Sequence, residues 1–189
     1  MNIVVGDLTF EWMADWAQLP PMTGCAHHGF AVTSEGSLVT GHASEPMILV
    51  LGPDGELRRE FEVPATEVHG ITISRENESD VLWIVDTGDK YGKDSIGPPQ
   101  VLKCTMQGEV LARLDRSAFG YAEDDAFCPT ALAVDPHTGQ VWITDGYGSS
   151  RVHRFSPDLQ LEMTLTGAEG DAGPFSQPHW VFSDTREGL

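Results

Sequence analysis

The sequence is poor in basic residues and in long apolar runs, and each shortage excludes a class of protein. Only 11 lysines and arginines oppose 29 acidic residues, which gives a formal net charge of −18. Because nucleic acids and anionic membranes attract basic surfaces, we expect binding to neither. No apolar run approaches the roughly 20 residues of a membrane-spanning helix. An acidic surface accommodates cations and metal ions, although the simpler interpretation is a well-solvated surface.

Cysteine is scarce, and a targeting segment is not evident. Cys25, Cys104 and Cys128 are odd in number and lack the paired spacing of metal sites, so we expect reduced thiols. Residues 1–8 have neither a basic start nor a long apolar stretch, which argues against a signal peptide. The sequence therefore predicts a cytoplasmic protein.

A short sequence pattern occurs four times along the chain. Its equivalent positions are spaced by 41, 61 and 49 residues, and they are His28, His69, Thr130 and His179. After the first three, three more strand-like runs follow, each separated from the next by turn residues. A four-stranded unit repeated at about this period is typical of a β-propeller. We therefore predict an all-β fold of the β-propeller class.

The repeats also predict the organisation of the domain. We expect one domain over residues 1–189, with blades at approximately 24–66, 67–115, 126–167 and, in part, 174–189. Each blade covers the apolar face of its neighbour, and about four blades is the lower limit for closure. Three and a third blades therefore indicate a fragment of a larger reading frame, or a chain that closes by self-association. The break inside a repeat favours the fragment.

Histidines occupy three of the four repeat starts. The first strand of each blade lines the channel of a propeller, so His28, His69 and His179 are expected to converge on its axis, with Thr130 in blade three. Neutral imidazoles suit a borderline ion such as zinc and leave a coordination position open. Calcium is the alternative ion, and the alternative role of each histidine is to order a loop. By strand alternation His27 points to the opposite face. The remaining histidines are expected at the surface: His42, His137 and His153.

A second set of candidates follows the second strands. Asp86 and Asp145 stand at equivalent turns, and Tyr147 comes directly after Asp145-Gly. If these turns share the histidine face, Tyr147 is presented to the channel mouth, and Asp86, Asp145 and Arg151 line the site. The alternative is that Asp145 caps its turn and pairs with Arg151. An aromatic residue after Asp-Gly has no turn-forming role, which favours function for Tyr147.

These stretches resemble a known family. Residues 127–158, with Cys-Pro-Thr-Ala-Leu-Ala-Val and Asp-Gly-Tyr-Gly, look like the third blade of peptidyl-α-hydroxyglycine α-amidating lyase. Val68-His-Gly-Ile-Thr-Ile resembles its second blade, and Gly173-Pro-Phe-Ser-Gln-Pro-His the start of its fourth. More broadly, residues 24–189 are similar to six-bladed propellers of NHL repeats. The resemblance implies an NHL-type fold of which the chain has the front half.

The resemblance also implies chemistry. The lyase family holds zinc with three histidines on three blades; His69 and His179 match two of them, the third belongs to the sixth blade, and His28 is an additional imidazole. Tyr147 matches the family's catalytic tyrosine. The implied reaction cleaves the carbon–nitrogen bond of a carbinolamide, with zinc at the hydroxyl group and Tyr147 as general base.

Two positions depart from the family. Residues 40–43 are Thr-Gly-His-Ala, where the lyases have an arginine, and Gly148 replaces the cysteine that the lyases pair with the position of Cys128. Three functions therefore stay open. The first is a zinc-dependent lyase-like enzyme that takes a small-molecule or peptide ligand at the central channel. The second is a non-catalytic propeller that binds a protein or a small ligand, and the third is a fragment without independent activity.

Overall fold

The computed structural model describes residues 1–24, 29–89, 97–122, 124–184 and 186. In these ranges the chain forms three four-stranded antiparallel sheets and one separate two-stranded hairpin. The hairpin consists of β1 (Asn2–Val5) and β2 (Leu8–Glu11), and both of its strands are exposed. The all-β prediction is therefore confirmed.

Each complete sequence repeat forms one sheet, which we call a blade, with its strands in chain order. Blade one contains β3 (Phe30–Val32), β4 (Leu38–Gly41), β5 (Met47–Leu51) and β6 (Leu57–Glu62). Blade two contains β7 (Val68–Glu76), β8 (Ser79–Asp86), β9 (Gln100–Thr105) and β10 (Val110–Asp115). Blade three contains β11 (Ala131–Val134), β12 (Val141–Asp145), β13 (Arg151–Phe155) and β14 (Leu161–Leu165).

The four-stranded repeat was predictable, but two segments differ in detail. A short 3₁₀ helix, Arg116–Phe119, follows β10, between the predicted ranges of blades two and three. The Asp115 carboxylate caps it by accepting from Ser117 N at 2.9 Å. Among the described residues after β14, no strand is present in 174–184, although the fourth repeat predicts one there. A strand needs a hydrogen-bonded neighbour, and the described residues offer none to this segment.

Strand β8 shows why the blades stack. Its side chains alternate between two apolar cores, as the two-residue period of a strand requires. Trp83 and Val85 pack towards blade three, in a cluster that includes Ile143. Leu82 and Ile84 pack towards blade one, in a cluster that includes Ile48 and Val39. Burying one such side chain contributes about 1.5–3 kcal/mol, so the interfaces between blades carry most of the stability.

The first strands of the blades lie side by side at the inner edge of the arc. Strand β7 contacts both β3 and β11. Hydrogen bonds cross both of these seams: Gly29 N donates to His69 O at 2.7 Å, and the Thr72 hydroxyl donates to Leu132 O at 2.8 Å. The starts of the inner strands are thereby held at one end of a common channel.

Candidate functional site

Three aromatic rings meet at the start of the inner strands. His69 comes from β7, Tyr147 from the turn after β12, and His179 from the segment that follows blade three. The ring centroids are 5.2 Å apart for the two histidines, 5.4 Å for His69 and Tyr147, and 5.0 Å for Tyr147 and His179. The Tyr147 hydroxyl lies 3.4 Å from His179 Nε2. We call these three side chains the ring cluster.

Backbone contacts fix the orientation of His69. Its Nδ1 lies 2.7 Å from Thr130 O, and a carbonyl oxygen only accepts, so Nδ1 carries the proton. In the neutral ring Nε2 then has the lone pair that a metal ion requires. The neighbouring Gly70 permits this close approach, because a Cβ there would lie 2.8 Å from Thr130 O. The strand pairing shifts register between Val68 and Gly70, which turns His69 out of the regular alternation.

The turn that carries Tyr147 is tied around the Asp145 carboxylate. Asp145 is fully buried and accepts from Cys128 N and Ser149 N, each at 2.7 Å. A Cβ at Gly148 would lie 2.3 Å from Asp145 Oδ1, so the tight turn has no room for a side chain at that position. Tyr147 is left exposed on the outside of the turn, beside the histidines.

The segment that carries His179 is anchored by its own backbone. Pro178 O accepts a hydrogen bond from the Thr130 hydroxyl at 3.0 Å, and Gln177 N donates to Ser150 Oγ at 3.1 Å. Gly146 packs against the same carbonyl, where a Cβ would lie 2.4 Å from Pro178 O. Both anchoring contacts come from blade three, which therefore positions His179 as well as Tyr147.

Asp86 has a backbone-holding role like that of Asp145. It is fully buried and accepts from Thr66 N, Glu67 N and Gly88 N at 2.9 Å each, and from Gln100 Nε2 at the same distance. These bonds secure the chain immediately before β7. The equivalence of Asp86 and Asp145 that the repeat indicates is therefore one of backbone anchoring.

Arg151 pairs with a different partner from the one considered in the sequence. Its guanidinium contacts the Asp125 carboxylate, with 3.0 Å between Nη1 and Oδ2, and lies over the Tyr121 ring, 4.8 Å from its centroid. The Asp145 carboxylate instead accepts from the Tyr121 hydroxyl at 2.5 Å. Asp145 and Arg151 are neighbours in the strand register, but the loop at 121–125 supplies the partner of each.

The surface positions predicted for two other histidines are wrong. His153 is fully buried, with Nε2 2.8 Å from the Tyr121 hydroxyl and Nδ1 3.0 Å from Thr164 Oγ1. His42 is also buried, and its Nδ1 accepts from Ser44 N and Glu45 N, both at 3.1 Å. His153 belongs to β13, which is paired on both sides, by β12 and β14, and is not an outer strand. No local sequence pattern revealed that these two imidazoles satisfy buried polar groups.

Burial sets the protonation of the groups around the site. It raises the pKa of the Tyr147 phenol, with a further contribution from Cys128. Burial, then Asp145, Asp89 and Asp86, raises the pKa of the Cys128 thiol to about 11. The pKa of Tyr121 is also raised, first by burial and then by its hydrogen bond to Asp145. All three groups are therefore protonated at neutral pH.

The described residues fit part of a metal site. Two imidazoles on one tetrahedral zinc ion have ring centroids roughly 5 Å apart, given zinc–nitrogen distances of about 2.0–2.1 Å. The 5.2 Å between His69 and His179 agrees with that spacing. No group of three or more His, Cys, Asp or Glu side chains with metal-site geometry occurs in the part of the chain that the structure describes. His28 and Cys25 lie outside the described residues, so the prediction of His28 as a ligand stays a prediction.

Two further observations concern the cysteines and the membrane. Cys104 and Cys128 are free thiols in the described part of the chain, and Cys25 lies outside it. Among the same residues, no helix has the length and apolar character needed to cross a membrane.

Comparison with known proteins places these features in context. No protein-family model matches the chain. It is 35% identical over 103 residues to the peptidyl-glycine alpha-amidating monooxygenase of Mus musculus, covering 50% of this chain and 10% of that protein. It is 30% identical over 147 residues to NHL repeat-containing protein 3 of Mus musculus, covering 74% of this chain and 40% of that protein. The chain thus spans about a tenth of the length of the first relative and less than half of the second.

One solved structure supports the fold. A streptogramin B lyase structure superposes with a TM-score of 0.51 at 15% sequence identity, over 71% of this chain and 39% of the other. At that identity the likeness shows the architecture alone.

Proposed function

We propose, on the premise of the NHL-like β-propeller family that the relatives support, that the ring cluster binds a zinc ion and serves a lyase-like reaction. The observation that carries the proposal is the convergence of His69, Tyr147 and His179 from three separate parts of the chain. The backbones that carry Tyr147 and His179 are held by contacts that do not involve their rings, and the His69 ring is held by its Nδ1 contact with Thr130 O. Such pre-organisation is what a metal or catalytic site requires.

The roles of the residues follow from their contacts. His69 and His179 would hold the ion, and His28 is a candidate for a further ligand. A bound zinc ion supplies Lewis acidity and lowers the pKa of groups beside it. Tyr147 is the group placed to move a proton, with its hydroxyl 3.4 Å from His179 Nε2. Because burial raises its pKa, Tyr147 accepts a proton at neutral pH only when a cation nearby offsets that effect.

The reaction class is taken from the amidating relatives, and one missing arginine limits how far that analogy applies to this chain. The lyase resemblance implies cleavage of a carbinolamide carbon–nitrogen bond, in a small-molecule or peptide ligand at the channel. The arginine of the lyases is missing from residues 40–43. His42, in that stretch, has its Nδ1 occupied by two backbone N–H groups. Metal binding is therefore the primary proposal, and the lyase-like reaction depends on it.

A second function is favoured by the channel itself. A cleft of about 840 Å³ runs along the inner strands β3, β7 and β11, and its walls include Phe30, Ile71, Leu132 and Trp180. Apolar walls with a few polar groups are typical of ligand sites. A propeller that binds a small ligand without chemistry is therefore the alternative.

Metal content decides between the two. We expect the wild-type protein, dialysed against zinc and then against buffer, to retain about one zinc ion per chain by elemental analysis. His69→Ala and His179→Ala each remove one ligand and should abolish that stoichiometric zinc. His137→Ala, at an exposed turn, is the matched control and should keep it. Zinc retained in both variants, or absent from the wild type, would contradict the metal site and leave the binding module.

A further inference from the structure

We propose that Thr130 is the positioning residue of the ring cluster, with its carbonyl oxygen orienting His69 and its hydroxyl fixing the backbone at His179. The sequence placed Thr130 where the other repeats have histidine, as the one repeat start without an imidazole. In the structure this residue touches the supports of both histidines. The inference rests on the proposed metal-binding function and names the residue that sets its geometry.

The first half of the argument concerns His69. The Thr130 carbonyl accepts from His69 Nδ1 at 2.7 Å, across the seam between β7 and the start of β11. Thr130 N donates to Thr144 O at 2.9 Å, so the peptide that presents this carbonyl is itself held by blade three. A metal-ligating histidine usually donates its other ring N–H to such a group, which fixes both tautomer and ring plane.

The second half concerns His179. The Thr130 hydroxyl donates to Pro178 O at 3.0 Å and lies 2.9 Å from Thr144 Oγ1. The Thr144 hydroxyl in turn accepts from Ala131 N at 3.1 Å. When the Thr130 hydroxyl donates to Pro178 O, the Thr144 hydroxyl is the donor of the 2.9 Å contact, and the bonds then run from Ala131 N through two hydroxyl groups to Pro178 O. The competing carbonyl acceptors are farther away, at 3.2 Å for Thr144 Oγ1 to Ala131 O and 3.4 Å for Thr130 Oγ1 to Thr144 O. Hydrogen bonds aligned in this way polarise one another and hold the acceptor peptide firmly.

The site of Thr130 is built for a small hydroxyl-bearing side chain. Thr130 is fully buried. A Cβ on Gly146 would lie 2.9 Å from Thr130 Oγ1 and 2.4 Å from Pro178 O, so the space around the hydroxyl is closed. An isosteric valine would fit the space but would leave the part-buried Pro178 carbonyl without this donor. The peptide before His179 would then shift to find another partner.

The chain contains a matched control for the general effect of removing one hydrogen bond between two blades. Thr72, in β7, donates its hydroxyl to Leu132 O, in β11, at 2.8 Å. This is a bond of the same kind, from a threonine hydroxyl to a backbone carbonyl of the next blade, but it supports neither histidine ring. Thr72→Val should therefore lower the stability of the protein, as Thr130→Val does. Unlike Thr130→Val, it should leave the positions of the histidine rings unchanged.

The experiment measures zinc affinity of the full chain by competition with a chelator for wild type, Thr130→Val, Thr130→Ser and Thr72→Val. We expect Thr130→Val to weaken zinc binding about 10- to 100-fold. Thr130→Ser keeps the hydroxyl and should stay within about threefold of wild type, as should Thr72→Val. Equal weakening in Thr72→Val, or no rescue by serine, would overturn the positioning role.

A second readout separates this inference from the proposed function. If the wild type binds no zinc, the metal site fails, but the geometry is still measurable in the zinc-free protein by ring-to-ring nuclear Overhauser effects. Contacts of His179 with His69 and with Tyr147 should persist in Thr130→Ser and Thr72→Val and be lost in Thr130→Val. Their survival in Thr130→Val would contradict the inference.

Discussion

At the scale of the residue, the part-buried hydroxyl of Tyr121 joins two groups that no sequence pattern connects. It donates to Asp145 at 2.5 Å and lies 2.8 Å from His153 Nε2. Asp145 in turn supports the turn that carries Tyr147. Tyr121, which lies between blades two and three, therefore supports the site indirectly. Its hydroxyl holds Asp145, and Asp145 holds the turn that carries Tyr147.

His153 makes stability depend on pH. Burial lowers its pKa to about 4, against the opposing effect of Asp145 and with a smaller contribution from Arg151 in the same direction. As the pH falls below about 6.5 the unfolded chain takes up the proton first, so this contribution is intact above that pH and is lost towards pH 4. We expect the free energy of unfolding to fall by up to about 1.4 kcal/mol per pH unit from this group, about 3 kcal/mol in all.

Urea unfolding of His153→Gln at several pH values between 7 and 4 tests that expectation. The variant should show a shallower pH dependence than wild type in this window, whatever its stability at pH 7. His137→Gln removes an exposed imidazole and should keep the wild-type slope. Parallel slopes for all three proteins would show that His153 is not the group responsible.

At the scale of the element, the turn after β12 is a compact device. In the four residues after the strand, Ser149 N donates back to the Asp145 carboxylate and Tyr147 N donates to Cys128 O, and the Tyr147 ring is presented to the histidines. The Asp-Gly-Tyr motif predicted that Tyr147 would be presented at the channel mouth. It did not reveal why Gly148 stands where the lyases have cysteine, and the structure supplies a reason, since a Cβ there would meet the Asp145 carboxylate.

Gly148→Ala tests the turn. The added methyl group would lie 2.3 Å from Asp145 Oδ1 and 2.7 Å from Cys128 N, so the carboxylate must move and release at least one backbone donor. We expect a loss of about 1–3 kcal/mol in the free energy of unfolding. The measurement is thermal or urea unfolding, with Gly170→Ala as control, because a Cβ there meets only Gly167 O at 4.0 Å. Equal stability of the two variants would contradict this account.

The elements were more predictable than the contacts between them. Period-two runs such as β8 identify a strand and its faces, because the strand itself dictates that alternation. Burial of His42 and His153 depends on loops and neighbouring strands far along the chain, which no local pattern encodes. The choice of Asp125 rather than Asp145 for Arg151 has the same cause, since both carboxylates are within reach of a long side chain.

At the scale of the whole molecule, the described sheets do not close a ring, and apolar side chains stay uncovered at the channel. Phe30 and Val32 of β3 are 66% and 59% exposed, and Trp180 and Phe182 of the last segment are 55% and 80% exposed. Contiguous exposed apolar groups of this kind mark association surfaces. Self-association, which the open repeats leave as the alternative to a fragment, therefore has specific side chains to act through.

We expect this chain to sediment above its monomer mass of 20.6 kDa at micromolar concentration. The double variant Phe30→Ser, Phe182→Ser should move the distribution towards the monomer in analytical ultracentrifugation. Val4→Ser, on the exposed hairpin, is the control and should leave the distribution unchanged. A monomeric wild type, or a response to Val4→Ser alone, would contradict association through the channel face.

Three of the hydrogen bonds that cross between neighbouring repeats share a direction. Gly29 N donates to His69 O, Thr72 to Leu132 O, and Thr130 to Pro178 O, so each time the donor lies earlier in the chain and the acceptor in the next repeat. A repeat that leaves the ribosome therefore waits with open donors until its successor is synthesised. For these three bonds the order of translation is thus also the order in which they can form, and the His69 ring gains its acceptor, Thr130 O, only when the repeat after it is in place.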